Sequence, residues 1–378
     1  MELIFDKEEL WKAMQIVGNV AATRNTLPIL SNVLIKTIDN RIQLAATDLE
    51  VGIKSTIDGE ILNSGSITVP AKKLSDIVRE LPSTTDSGEP SKVRMTTSAN
   101  DRVEIDCERA KFKIVGLPDD EFPALPGISD SYLTLNSKML CQMINKTIFA
   151  ASTEETRHFL NGTYLSVDSG SMKMVATDGK RLAVAIQQVP EIAGQKVGII
   201  IPIKTVNNIL RIFTEDTDVN IALLESQVVF ANGDITLTSR LIEGEYPDYQ
   251  AVIAPVLKNE ILVTANTDQL LAVLRRVSLL ANPKTPSIKI ETDGEELSVT
   301  ASTPELGEAQ EQTQAKVEGG KIEIAFNAKY LMDVLRNVGK DETSMRFRDS
   351  LSPFLITPSN GDNGDNMDYM CIIMPMRL

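Results

Sequence analysis

FDKEELWKAMQIVGNVAA (residues 5–22), LNSKMLCQMINKTIFAAS (residues 135–152) and ANTDQLLAVLRRVSLLAN (residues 265–282) are three versions of one amphipathic segment, with Leu10, Leu140 and Leu270 at matching places. In the third, Leu270, Leu271, Leu274, Val277 and Leu280 recur at helical spacing against Asp268, Arg275 and Arg276, giving one apolar and one charged face. Each segment leads into a β-rich stretch with a related centre: QLAATDLEVGI (43–53), KMVATDGKRLAV (173–184) and LSVTASTPELGEA (297–309). A second amphipathic segment follows each time: VPAKKLSDIVREL (69–81), IPIKTVNNILRIF (201–213) and FNAKYLMDVLRNV (326–338). The period of about 125–130 residues is too long for a solenoid unit and suits a complete small domain.

Strand signals are short apolar or alternating runs rich in β-branched residues. They fall at 33–37, 41–46, 51–56 and 66–69, at 163–167, 172–176 and 182–187, and at 287–291 and 296–301. Turn formers separate them, as at Asp39-Asn40, Asp58-Gly59 and Asp293-Gly294. The pattern predicts about eight strands and two helices per unit. That is an α+β fold of three similar domains, each with two helices packed on antiparallel sheets. Boundaries are expected in the Pro-rich run LPDDEFPALPGISD (117–130) and near IAPVLKNE (253–260), giving domains 1–127, 128–256 and 257–378.

At 378 residues, with 42% hydrophobic and 24% charged content, the chain has the size and composition of two or three ordinary globular domains. No basic region followed by an apolar run opens it and no stretch approaches membrane-spanning length, so neither a signal peptide nor a membrane partner is expected. Cys107, Cys141 and Cys371 are far apart and odd in number, which fits incidental thiols in a reduced, cytoplasmic setting. The sequon at Asn161 has no meaning in such a setting.

The formal charge of −14 argues against a nucleic-acid partner until its distribution is considered. Six helix-like segments (6–24, 72–81, 137–151, 203–213, 267–284 and 327–340) hold 16 Lys and Arg against 7 Asp and Glu. They carry +9 and the remainder carries −23. Either the helices share a face and make a local positive field on an acidic body, or the asymmetry reflects residue preferences alone. Propensity by itself would also enrich helices in Glu, which is scarce in them.

Catalytic apparatus is nearly absent from the sequence. His158 is the one histidine, which excludes histidine-based metal clusters and paired-histidine mechanisms. No phosphate-binding glycine loop follows a strand. The run GDNGDNMD (361–368) lacks the spacing of a calcium loop and reads as a hairpin tip. Asp48 and Asp178 recur at equivalent places, either as paired carboxylates of a hydrolase or as turn residues; the third unit has Thr303 there. No enzyme, metal or cofactor is expected. A three-domain peptide-binding scaffold that does not bind nucleic acid is one reading of such a chain.

The chain resembles, over its whole length, the bacterial DNA polymerase III β subunits, the replication sliding-clamp family. The motifs that carry the resemblance are TLPIL (26–30), ATDLE (46–50), TVPAKK (68–73), LNG (160–162), VATDGKRLAV (175–184), YPDY (246–249) and MPMRL (374–378). The resemblance implies that two subunits join head to tail in a closed ring, with helices lining the hole and sheets outside. It implies a homodimer on double-stranded DNA, bound without regard to sequence. The replicative polymerase catalytic subunit, the clamp loader and repair factors would dock through short linear peptides.

Carried over residue by residue, the resemblance places Arg24, Lys72, Arg79, Arg157, Lys204 and Arg211 against DNA. Arg276, Lys284, Arg336 and Lys340 join them on helix position and charge alone. The peptide groove would comprise Leu160, Thr177, Gly179, Lys180, Arg181, Leu182, Pro247, Val252, Met374, Pro375, Met376 and Arg377. Methionines suit a site that serves several partners, because their flexible chains repack. The subunit interface would set Lys73, Arg109 and Phe112 against Leu279, Leu280, Glu305 and Glu308. Ala251 and Lys180 depart from the arginine and histidine of some members, and the loop at 361–368 is longer than usual.

Overall fold

A computed structural model describes residues 1–22, 27–128, 133–154, 156–192, 194–359 and 367–377. Seven α-helices occur among them: α1 (Lys7–Val17), α2 (Ala71–Glu80), α3 (Ser137–Asn145), α4 (Ile203–Ile212), α5 (Gln250–Val256), α6 (Thr267–Val277) and α7 (Ala328–Val338). Every strand pairing is antiparallel, and the chain forms two compact units, residues 1–138 with 211–241 and residues 139–210 with 242–378.

The first unit holds a five-stranded sheet, from Glu60–Asn63 through Glu2–Asp6, Lys92–Ser98 and Arg102–Cys107 to Ala110–Val115. It also holds an eight-stranded sheet, in which Val51–Ile57 pairs with Ile235–Arg240. Alternation fixes the faces: Leu3 and Phe5 are fully buried while Glu2, Ile4 and Asp6 are not. Hairpins close through Asp39-Asn40 (φ 47° and 62°) and Asn100-Asp101 (φ 61° and 54°), the left-handed pair that matches strand twist. Helices α1 and α2 pack together, burying Leu10, Met14 and Val17 with Leu74 and Val78.

The second unit is built on one twelve-stranded sheet. Its central seam joins Arg181–Gln188 to Met367–Ile373, across which Leu182 faces Ile372 and Ala183 faces Cys371. Helices α6 and α7 pack on each other and bury Leu270, Leu274 and Val277 with Leu331, Val334 and Leu335.

Several expected elements end elsewhere. Helix α1 stops at Val17 instead of running to residue 24, and Arg24 lies outside the described residues. After α3 and α6 the chain tightens into 3-10 turns, Ile148–Ala150 and Ser278–Leu280. Helix α5 was absent from the expectation: Pro255 in its last turn reads as a breaker, but a single lost hydrogen bond there leaves a short helix intact. Confined to α1–α7, the charge asymmetry narrows to 12 basic against 6 acidic residues. One of the twelve, Lys7, is 5% exposed and committed to Glu8 and Ser83. The run at 361–368 lies outside the described residues except for Met367 and Asp368, which begin the last strand.

Candidate functional site

The second unit carries an apolar groove of about 250 Å³ lined by Leu160, Thr177, Gly179, Lys180, Arg181, Leu182, Pro247, Asp248, Tyr249, Val252, Ile372 and Met374. Nine of the twelve expected groove residues therefore meet around one cavity. Pro375, Met376 and Arg377 are not among its walls, and the Met376 amide instead donates to the Ala325 carbonyl at 2.7 Å. Asp248, Tyr249 and Ile372 were missed. YPDY was noted as a motif, yet nothing in it distinguishes a wall residue from a core one. Ile372 enters through register, opposite Leu182.

The floor is made by Leu160, Leu182 and Ile372, each no more than 5% exposed, and the rim by Val252 and Met374, about 40% exposed. Behind the floor lies a core of Val175, Val184, Val256 and Leu355, against which Tyr164, Tyr246 and Tyr249 pack. Tyr164 and Tyr246 stack with ring centroids 5.0 Å apart, and burial pushes the Tyr246 phenol above its ordinary range. The site is apolar, preformed, and smaller than the roughly 300–1,000 Å³ of small-molecule pockets. It is sized for one or two side chains.

One wall is a tight turn closed by local hydrogen bonds and tied to the last strand by the Met374 amide, which donates to the Lys180 carbonyl at 2.9 Å. Thr177 Oγ1 donates to the Arg181 carbonyl at 2.6 Å and accepts from the Gly179 amide at 3.0 Å. Asp178 Oδ1 accepts from the Lys180 and Arg181 amides at 2.8 and 3.0 Å. Asp48 does the same for Glu50 and Val51 in the first unit. Both aspartates thus act as turn residues, each accepting from two amides of its own turn. Among the described residues, no group of three or more His, Cys, Asp or Glu could hold a metal ion.

Arg181 is bound more tightly than a groove residue need be. Its Nε donates to Asp178 at 3.1 Å and its Nη1 to Asp333 of α7 at 2.8 Å, with the side chain 9% exposed. The guanidinium also lies over the Tyr330 and Phe149 rings, 4.6 and 5.5 Å from their centroids. Lys180 and Arg181 separate the groove from a second, polar cavity of about 600 Å³, which Glu154, Arg157, Asn207 and Lys329 also line.

The expected DNA-facing residues that are described lie on exposed surface. Lys72 and Arg79 project from α2, Arg79 beside Asp76 and Glu80. Lys204 opens α4 and Arg211 closes it; burial of parts of both lowers their pKa values. Arg211 Nη2 donates to the Ile16 carbonyl at 3.3 Å, and Arg157 Nη1 to the Asp178 carbonyl at 3.4 Å. Of the residues added on charge alone, Arg276 is held by Glu311 at 2.9 Å and Arg336 by Asp333 at 2.9 Å, which offsets both charges.

The expected interface residues are also at the surface. Ala110–Val115 is the outer strand of the five-stranded sheet; Phe112 is 37% exposed and Arg109 meets Asp86 at 3.0 Å. Lys73 is exposed on α2. In the second unit Leu279 is 77% exposed, Leu280 is half-buried, and Glu305 and Glu308 are exposed. Val115 and Leu306, also exposed, were passed over.

Family models match nearly all of the chain: the DNA polymerase III beta subunit N-terminal domain over residues 1–126, the central domain over 134–248 and the C-terminal domain over 255–377. The beta sliding clamp of Pseudomonas aeruginosa is 32% identical over 382 residues, and that of Caulobacter vibrioides 34% over 388, each covering both chains completely. The solved DNA polymerase III subunit beta of Pseudomonas aeruginosa superposes with a TM-score of 0.91 at 32% identity over all of both chains. The DNA polymerase sliding clamp of Bacillus subtilis gives 0.92 at 28% identity, over 100% of this chain and 99% of that one. A sliding clamp from Bartonella birtlesii, solved bound to griselimycin, gives 0.92 at 33% identity, again over the whole of both chains. Three successive domain matches, full-length relatives and a shared three-domain fold together make this chain a member of the DNA polymerase III beta subunit family, the beta sliding clamps.

Proposed function

We propose that two copies of this chain close head to tail around duplex DNA and hold replication proteins there through the groove. The observation that carries this reading is a repeated seam. Val51–Ile57 of the first repeat pairs with Ile235–Arg240, and Arg181–Gln188 of the second pairs with Met367–Ile373. The third repeat offers the corresponding strand, Gly307–Glu318, whose residues 307–314 pair on one side only, with Glu296–Thr303. The first repeat offers Ala110–Val115, paired among the described residues only with Arg102–Cys107. Each copy thus presents one unpaired edge of each kind, with Phe112 and Arg109 beside one and Leu279, Glu305 and Glu308 beside the other. Different surfaces that meet head to tail generate closed rings when the rotation fits.

Inside such a ring Lys72, Arg79, Arg157, Lys204 and Arg211 would meet phosphates, contacts that carry no sequence information and leave the duplex free to move. Retention would come from enclosure, without tight binding or chemistry. The groove would take apolar side chains of short linear peptides on the polymerase catalytic subunit, the clamp loader and repair factors. No helix among the described residues is long and apolar enough to cross a membrane. The test is loading onto nicked circular DNA followed by cutting. Protein that stays on the circle and leaves the linear product supports the reading; equal retention on both overturns it.

A further inference from the structure

We propose that Asp333 on α7 is a positioning residue for the groove, acting through Arg181. The proposal rests on the reading of the groove as a ligand site and says how that site keeps its shape.

The turn at Thr177–Arg181 has Gly179 at its tip, with φ +85°, and contributes Thr177, Gly179, Lys180 and Arg181 to the groove, with Leu182 next in the chain. The main chain ties this turn to the strand Met367–Ile373 on one side, where Arg181 pairs with Ile373 and the Met374 amide donates to the Lys180 carbonyl at 2.9 Å. The Arg181 side chain ties it to α7 on the other. Its guanidinium bridges Asp178, inside the turn, and Asp333, one helical turn from the end of α7. Tyr330, also on α7, covers the same guanidinium. Asp333 itself does not line the groove but the polar cavity behind it.

Helix α7 is in turn fixed at its C-terminus. Lys146 Nζ donates to the Asn337 and Val338 carbonyls at 3.1 and 3.4 Å, satisfying acceptors the helix leaves over. A guanidinium that is 9% exposed is held by both carboxylates, so removing that of Asp333 leaves it paired with Asp178 alone and cuts the ionic tie between the turn and α7. The groove wall and α7 therefore shift together.

Griselimycin, the ligand of a solved relative, serves as probe on the full-length chain, with calorimetry for affinity and surface plasmon resonance for rates. Asp333→Asn is expected to weaken binding about tenfold, mostly by faster dissociation. Asp333→Glu should recover part of the loss. On an Arg181→Met background Asp333→Asn should add nothing, and Leu182 methyl resonances of unliganded Asp333→Asn should shift while those of Leu10 stay. Val252→Glu, on the rim, should abolish binding. Loss in Val252→Glu with parental affinity in Asp333→Asn overturns the positioning role alone. Undiminished binding in Val252→Glu overturns the groove reading and the proposal with it. An effect of Asp333→Asn that persists without the Arg181 guanidinium also overturns the proposal.

Discussion

Leu49 and Gly179 occupy corresponding places in two repeats and both have positive φ, 78° and 85°. Leucine is strained there and glycine is not. Leu49→Gly is therefore expected to hold or raise stability by up to about 1 kcal/mol, and Gly179→Ala to lower it by about 1–2 kcal/mol, measured by urea unfolding. A Cβ at Gly179 would come 2.7 Å from Arg157 Nη1, but that flexible tip swings away; the backbone cannot. At this scale the sequence was partly legible. Thr177, Asp178 and Gly179 announce a turn by type, whereas nothing about Arg181 distinguishes a buried, doubly paired guanidinium from a surface one. The cysteines offer a second check. Burial pushes the Cys371 thiol up to about 12, so native Cys371 should not react with a thiol reagent at pH 8, while half-buried Cys141 should react first. A pKa raised in the folded state above its unfolded value of about 8.5 contributes stability below about pH 8.5 that declines as pH rises toward 12. Unfolding midpoints followed between pH 8 and 10 should fall, and fall less in Cys371→Ala if that variant folds.

Helices were legible in their apolar period and illegible at their ends. Over a single turn, periods of 3.0 and 3.6 residues place apolar side chains alike, so Ile148–Ala150 and Ser278–Leu280 read as continuations of α3 and α6. Starts were clearer because caps have chemistry. Asp6 accepts from the Glu8 and Glu9 amides at 2.9 and 3.3 Å, and Asn266, 260 residues on, accepts from Gln269 at 3.0 Å. Asp6→Ala should cost about 1 kcal/mol, readable as a lower unfolding midpoint with an unchanged denaturant slope.

The threefold repeat was legible across the whole chain because amphipathic period and turn chemistry recur at fixed spacing. Its consequence, sheets that run on from one repeat into the next, was not. The partner of Val51–Ile57 lies some 180 residues away in Ile235–Arg240, and no composition or period marks which strands meet. Association has its own check at this scale. The parent should scatter light at twice the chain mass of 41.4 kDa, and Leu279→Glu or Phe112→Glu should scatter at that mass itself while keeping parental unfolding. Losing one exposed apolar anchor is expected to weaken assembly by about thirtyfold or more. Parental mass in both variants would place the contact elsewhere.

The seams between repeats are stitched by main-chain amides and carbonyls, groups that every residue except proline carries alike. Such stitching imposes no code on the letters above it. Relatives sharing about a third of their residues with this chain can keep its backbone to a TM-score above 0.9 for that reason. Drift is free along the seams, and whatever discriminates between neighbours must be written in the few side chains that flank them.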